Sequence, residues 1–220
     1  MILPPQAVPL LTALAPAFPQ PTYRRFLTRL RAPVRITGRR TVAHRLRTRG
    51  GLAPGQRTAS QQVFSPALGS MLERGWARTT LLLAHLIPDG TVVLVGDDTV
   101  AGHPGKKGSG TARHRHPVRS SHSHTAWRYG PNWVVLALLV RFPCAARPWA
   151  LPVLVDLDRS PEDHRRRQRP HPTSAPLICR LARLMLRRFP SRHFLFAGDT
   201  GSGTYEVGRF CPATAPGSPW

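Results

Sequence analysis

Four short apolar runs, three of them before an amphipathic helix and one after it, limit this chain to a mixed α/β sheet. The runs are rich in β-branched and aromatic residues, as buried strands are, and they occupy positions 91–96, 133–142, 149–155 and 193–197. A helix that Thr173 or Ser174 can cap is predicted between the third and fourth runs, ending near Arg188. A short helix over 204–210 follows, which gives the order β-β-β-α-β-α.

The chain divides by pattern into three regions. Residues 1–90 are predicted to be a helical N-terminal region that contacts DNA or packs on the sheet, and residues 91–210 form the sheet domain. Residues 211–220 contain prolines without periodicity and are predicted to be a disordered tail. Helices in the N-terminal region are expected at 23–30, at 39–49 and from about 58 onward.

Two of the ten acidic residues stand where strands are predicted to end. Asp97 follows the first apolar run and Asp199 follows the fourth. A carboxylate at a strand end is held rigidly at the edge where α/β sheets bind ligands. Carboxylates gathered in a cationic protein suggest a hard divalent metal acting on a polyanion. The alternative for each aspartate is a solvated loop residue or a turn former.

The charge of the chain favours a nucleic acid partner. Its 32 Lys and Arg residues face only 10 Asp and Glu, a formal net charge of +22, and positions 99–155 hold no acid. Such a chain neutralises phosphates and releases counterions. A generally arginine-rich coding sequence explains the total charge but not the acid-free segment. An anionic membrane surface is disfavoured because no long basic amphipathic helix is visible.

The cysteines and the apolar segments predict a cytoplasmic protein. Cys144, Cys179 and Cys211 form no CxxC pair, so they are expected to be reduced thiols rather than zinc ligands. Prolines interrupt the apolar N-terminus, and no apolar stretch reaches about 18 residues, so neither a signal peptide nor a membrane helix is expected.

Four segments, taken together, carry a family resemblance. They are Val-Gly-Asp-Asp-Thr at 95–99, Arg-Ser-Ser-His-Ser at 119–123, Arg-Pro-Trp-Ala-Leu-Pro at 147–152 and Gly-Asp-Thr-Gly at 198–201. Their order and spacing over about residues 35–210 resemble DDE-type transposases of insertion sequences, which are DDE superfamily endonucleases. The resemblance implies an incomplete ribonuclease H-like domain that cleaves and joins DNA at element ends. It also implies Mg²⁺ or Mn²⁺ as cofactor, self-association on DNA, a nucleoid location and no small-molecule substrate.

The resemblance assigns roles to particular acids. Asp97 and Asp199 match the first two catalytic, metal-binding carboxylates, with Asp98 as the alternative to Asp97 because neighbouring strand residues face opposite ways. The third carboxylate, a glutamate on a later helix, has no counterpart at the expected distance. Glu206 lies only seven residues after Asp199 and is expected to be a surface residue. The chain therefore resembles a transposase truncated before its last catalytic element and is expected to be inactive.

The segment after the first acid is predicted to bind DNA. Its candidate phosphate-binding residues are Lys106, Lys107, Arg113, Arg115, Arg119 and Arg128. Two His-x-His pairs, at 114–116 and 122–124, allow a zinc or copper site as an alternative. Trp127, Tyr129 and Trp133 are expected to be core or loop anchors rather than base-stacking platforms.

Three functions follow from these patterns. The first is a DNA transposase that uses a divalent metal to hydrolyse and transfer strands. The second is a non-catalytic, basic DNA-binding remnant of such a gene. The third is a basic protein associated with RNA or ribosomes, which the arginine-rich helical segments allow but the paired acids do not require.

Overall fold

A computed structural model of the chain describes residues 7–31, 70–102, 110–115, 119–121, 123–159, 161–166, 168, 170–198 and 205–213. The chain separates into two compact units, Met1–His85 and Leu86–Trp220. The predicted boundary after residue 90 lies five residues beyond the end of the first unit. The predicted helix over 39–49 lies outside the described residues.

The N-terminal unit is helical wherever it is described. It contains α1 (Ala7–Thr12), a 3-10 turn (Ala15–Ala17), α2 (Gln20–Arg31) and the start of α3 (Met71–Leu86). Phe18 stacks on Phe26 of α2 with ring centroids 5.0 Å apart, and the Arg74 guanidinium of α3 lies 5.1 Å from the Phe18 ring centroid. These contacts connect the end of the 3-10 turn with α2 and α3, because stacked rings attract each other and a cation is attracted to a ring face. No helix among the described residues has the length and apolar character needed to cross a membrane.

The described part of the second unit contains five strands and three helices. The strands are β1 (Val92–Val100), β2 (Thr111–Arg115), β3 (Trp127–Val140), β4 (Trp149–Asp158) and β5 (Phe194–Gly198). The helices are α4 (Pro161–Arg166), α5 (Ser174–Arg188) and α6 (Tyr205–Ala213).

The sheet is open and mixed. Strand β3 is central and pairs antiparallel with β1 on one side and with β4 on the other. Strand β5 pairs parallel with β1, so β4 and β5 run in the same direction and α5 is the crossover between them. The order is thus β4-β3-β1-β5, and β2 pairs with the N-terminal part of β3. The predicted α/β class with a mixed sheet is confirmed.

The core lies between this sheet and α5. The helix packs against β1, β3 and β4, and its apolar positions recur every three or four residues, so they form one stripe. Met185 on α5 and Leu94, Leu136 and Leu138 on the strands are among the most deeply buried side chains. Helix α6 packs against α5 through buried Val207. One face of the sheet is therefore rigidly supported.

The structure corrects four sequence predictions. Strand β1 continues past residue 96 to Val100, so Asp97 lies within a strand rather than at its end. Strand β3 begins at Trp127, six residues before its predicted start at 133, because backbone pairing with β2 needs no apolar side chains. Strand β4 continues to Asp158, three residues past its predicted end at 155, and α6 extends to Ala213, into the predicted tail.

Candidate functional site

Strand β1 directs its two neighbouring aspartates to opposite faces of the sheet. Val92 and Leu94 are buried on the face that α5 covers, and a Cβ on Gly96 would lie 2.8 Å from Ile178 Cγ2 of that helix. Because strand side chains alternate, Asp98 belongs to the α5 face. Asp97 belongs to the other face.

Asp97 is exposed, and its Oδ1 accepts a 2.8 Å hydrogen bond from the Asp98 backbone N–H. The residue before it, Gly96, pairs in parallel register with Gly198 of β5. Gly198 is the residue before Asp199, which lies outside the described residues. The register thus places side by side the two residues that precede the predicted catalytic acids.

Asp98 joins a polar cluster that the sequence did not predict. Its Oδ2 accepts hydrogen bonds of 2.8 Å from Asn132 Nδ2 on β3 and of 2.8 Å from Ser174 Oγ at the start of α5. The same Asn132 nitrogen lies 3.2 Å from Asp158 Oδ2, at the end of β4. Asp98 and Asp158 therefore share one donor. Thr173 occupies the cap position of α5 without a side-chain cap bond.

The cluster lies at one end of a groove of about 690 Å³. The groove walls are formed by Asp98, Thr99, Val100, His114, Arg115, Arg128, Asn132, Asp158, His171, Thr173 and Ser174. Three polar atoms along it are buried and have no hydrogen-bond partner among the described residues: Asn132 Oδ1, Asp158 Oδ1 and His114 Nε2. Buried polar atoms without partners are costly and mark places where a ligand or water belongs. The groove thus has acidic and basic walls and unsatisfied atoms in both.

A conventional metal cluster is not present in the described part of the chain. No three His, Cys, Asp or Glu side chains there lie close enough together to hold a metal. His116 and His122 of the predicted His-x-His pairs lie outside the described residues. His114 lines the groove and His124 is exposed, so neither joins such a group.

The β2–β3 ribbon gathers the predicted DNA-binding arginines. Arg113 and Arg115 lie on β2 and Arg128 lies on β3, and all three are exposed, as is Arg119 beyond the ribbon. Arg128 pairs with His114 across the strands, so both face the groove. Lys106 and Lys107 lie outside the described residues.

Aromatic side chains on this ribbon are more exposed than expected. Trp127 is 52% exposed and Tyr129 is 37% exposed. The Arg113 guanidinium lies 4.5 Å from the Trp127 ring centroid, and the Tyr129 hydroxyl lies 3.3 Å from that of Thr111. Of the two expected alternatives, a core or a loop anchor, the core is excluded for Trp127, because β2 and the start of β3 extend beyond the helix-covered part of the sheet.

The remaining acids and thiols of interest lie away from the groove. Asp156 pairs with Arg180 of α5, and Glu206 is exposed in the first turn of α6, as expected of a surface residue. Cys144 is exposed and Cys179 is buried.

Sequence reasoning missed Asn132, Asp158 and Ser174. Each residue had only a weak signal in the sequence. Asn132 stands at the start of an apolar run, Asp158 continues the alternation of apolar and polar residues at the end of a strand, and Ser174 stands at the start of a helix. Comparisons of the chain with protein-family models, with curated proteins and with solved structures each returned no match.

Proposed function

We propose that this chain is a DNA-acting protein of the DDE transposase type, in which Asp97 and Asp199 hold Mg²⁺ or Mn²⁺ for phosphodiester cleavage and strand transfer. The observation that carries the proposal is the parallel pairing of Gly96 with Gly198, each of which an aspartate follows. Two carboxylates that follow paired residues of adjacent strands would provide the oxygen ligands that a hard cation prefers.

The strand arrangement supports a ribonuclease H-like assignment. Three antiparallel strands are followed by a helix and by a strand that pairs parallel with the first one. This is the sheet expected from the resemblance, with the β2–β3 ribbon as an extension. The fold alone does not specify an activity, so the acids and the basic ribbon have to carry the functional argument.

The acids and arginines of this chain would divide the work. Asp97, on a strand paired along its length with β3, would hold an ion in a fixed position beside Asp199. A bound divalent ion supplies charge stabilisation at phosphate oxygens and an activated water. Arg113, Arg115 and Arg128 would bind the flanking phosphates, for which the planar guanidinium is well suited. DNA is the partner that the +22 charge favours.

The metal site is tested by thermal unfolding of the protein–DNA complex with and without Mn²⁺. An ion at 100 times its dissociation constant adds about 2.7 kcal/mol of stability. We expect Asp97→Asn and Asp199→Asn to lose a large part of the Mn²⁺-dependent increase in melting temperature. Asp89→Asn, an exposed acid in the turn before β1, is the matched control and should respond like wild type. Equal responses from all four proteins would reject the site.

Cleavage is a separate question from metal binding. Because Asp97 belongs to no group of three metal-ligating side chains among the described residues, we expect little nicking of supercoiled plasmid in Mg²⁺ or Mn²⁺. Loss of a ligand misplaces the activated water, and small misplacements reduce rates by orders of magnitude. Strong nicking that Glu206→Gln abolishes would show that Glu206 completes the site.

A non-catalytic DNA-binding protein is the second candidate. It is favoured by one observation: the described residues contain no group of three metal-ligating side chains. This candidate predicts salt-sensitive DNA binding that Mn²⁺ and the Asp97 and Asp199 substitutions leave unchanged.

A further inference from the structure

Three side-chain oxygens converge on the Asn132 amide nitrogen at the acidic end of the groove. Asp98 Oδ2 lies 2.8 Å from Nδ2, Asp158 Oδ2 lies 3.2 Å from it and Ser174 Oγ lies 3.4 Å from it. An amide nitrogen has two hydrogens, so it cannot satisfy three acceptors at full strength. The Asn132 NH₂ group thus occupies a position that oxygen ligands surround.

The negative charges of Asp98 and Asp158 and the Oδ1 atoms of Asn132 and Asp158 are left unsatisfied by the described residues. Asp158 is 8% exposed and Asn132 is 4% exposed, and the Oδ1 atom of each is buried without a hydrogen-bond partner. Within the described part of the chain, neither Asp98 nor Asp158 forms an ion pair. Two carboxylates that share one neutral donor repel each other, and a buried one is costly without a positive partner.

We infer that Asp98, Asn132 and Asp158 bind a hard divalent cation, of the Mg²⁺ or Mn²⁺ class, at a site separate from the one proposed for Asp97. Rotation of the Asn132 amide by half a turn exchanges its nitrogen for Oδ1 and gives the ion a third protein oxygen. Two carboxylates and an amide oxygen, with water in the remaining positions, are a suitable ligand set for such an ion. Soft or imidazole-preferring metals are disfavoured because every ligand is oxygen.

The geometry separates this site from the proposed catalytic pair. Asp98 lies on the α5 face of β1, whereas Asp97 lies on the other face. The ion would reach the site from the groove, because Asp98 is exposed there and lines it together with Asp158. The bound ion would neutralise Asp98 and Asp158 and would link β1, β3 and the end of β4 near the start of α5.

The test is a titration of the full chain with Mn²⁺, without DNA, in which the free ion is followed by electron paramagnetic resonance. We expect Asp158→Asn and Asp98→Asn to weaken Mn²⁺ binding at one class of sites by at least about tenfold. Removing a direct ligand should reduce metal affinity more than removing a residue that only orients a ligand. Asp97→Asn and Asp156→Asn should leave this class unchanged. Asp156 is the matched control because it lies two residues before Asp158 on the same strand and pairs with Arg180.

A gain-of-function variant protects the test against misfolding. Asn132→Asp adds a third carboxylate, so it should tighten Mn²⁺ binding if an ion occupies the cluster. Wild-type Mn²⁺ affinity in Asp98→Asn, Asp158→Asn and Asn132→Asp would overturn the inference and leave a purely structural network. Should Asp158→Asn fail to fold, Asn132→Asp decides alone: tighter binding supports the site, and unchanged or weaker binding rejects it. Loss of Mn²⁺ only in Asp97→Asn would reject this site and leave the proposed function standing.

Discussion

Replacing Gly96 by alanine is expected to destabilise the sheet unit directly beside the proposed site. An alanine Cβ would lie 2.8 Å from Ile178 Cγ2 and 2.8 Å from Phe196 Cζ, closer than ordinary van der Waals contact. Ile178 is 2% exposed and lies between α5 and the sheet, so it cannot move away freely. The neighbouring atoms must therefore shift, or β1 must move relative to β5.

The size of the effect follows from two opposing terms. Overpacking a well-packed core costs about 1–3 kcal/mol. Alanine is favoured over glycine inside a strand by about 0.5–1 kcal/mol, because glycine loses more backbone entropy on folding. Both contacts are at 2.8 Å, so the overpacking cost belongs in the upper part of that range, about 2–3 kcal/mol. The net loss for Gly96→Ala is then about 1–2.5 kcal/mol, which lowers the urea midpoint by about 0.5–1.2 M at a slope of about 2 kcal/mol/M.

The assay is urea unfolding followed by circular dichroism, with Gly208→Ala as the control. A Cβ on Gly208 in α6 would meet nothing within 4 Å. This substitution should therefore increase the free energy of unfolding by about 0.5–1 kcal/mol and raise the urea midpoint. Phe196→Leu removes the ring from one of the two clashing side chains. In the Gly96→Ala background it should show a favourable coupling energy of at least about 0.5 kcal/mol. A Gly96→Ala protein as stable as wild type would refute the close packing of β1 against α5.

Three further predictions concern the core, the DNA surface and a surface ion pair. Met185→Ala should cost about 2–5 kcal/mol in urea unfolding, because Met185 is fully buried under the sheet. Arg113→Ala should weaken binding to unrelated duplexes about equally and lower the slope of log affinity against log salt by about one, as measured by fluorescence anisotropy; an unchanged slope would remove Arg113 from the DNA surface. Arg180→Ala should change thermal stability by less than about 1 kcal/mol, because the Arg180 side chain is 55% exposed, and a larger loss in calorimetry would show that its pair with Asp156 matters structurally.

The sheet and its crossover helix were predictable because their signals are local. Apolar β-rich runs marked β1, the buried part of β3, β4 and β5, and the period of α5 fixed its buried face. The strand segments near residues 97 and 127 were not predicted. Their strands continue through charged and polar side chains, since pairing with β3 rather than burial holds them in place. Hydrophobic patterns alone cannot show where such strands end.

The site was predictable only in part, because its residues are distant in sequence. Asp97 and Asp199 were predicted as a pair from their strands and from the resemblance, and their role stays a prediction. The structure adds that the residues before them, Gly96 and Gly198, pair with each other. The cluster of Asp98, Asn132 and Asp158 depends on the register between β1, β3 and β4, which the chain reveals only when it is folded. A shift of one residue in that register would separate all three side chains.

The most direct test of this account is the Mn²⁺ stoichiometry of double variants in the presence of a short DNA duplex. Asp97 and Asp199 are proposed to share an ion, so Asp97→Asn with Asp199→Asn should lose no more Mn²⁺ than either substitution alone. Asp97 and Asp158 are proposed to hold different ions, so Asp97→Asn with Asp158→Asn should lose both classes. The account would be contradicted if Asp97→Asn and Asp199→Asn each removed a separate ion, or if neither removed any.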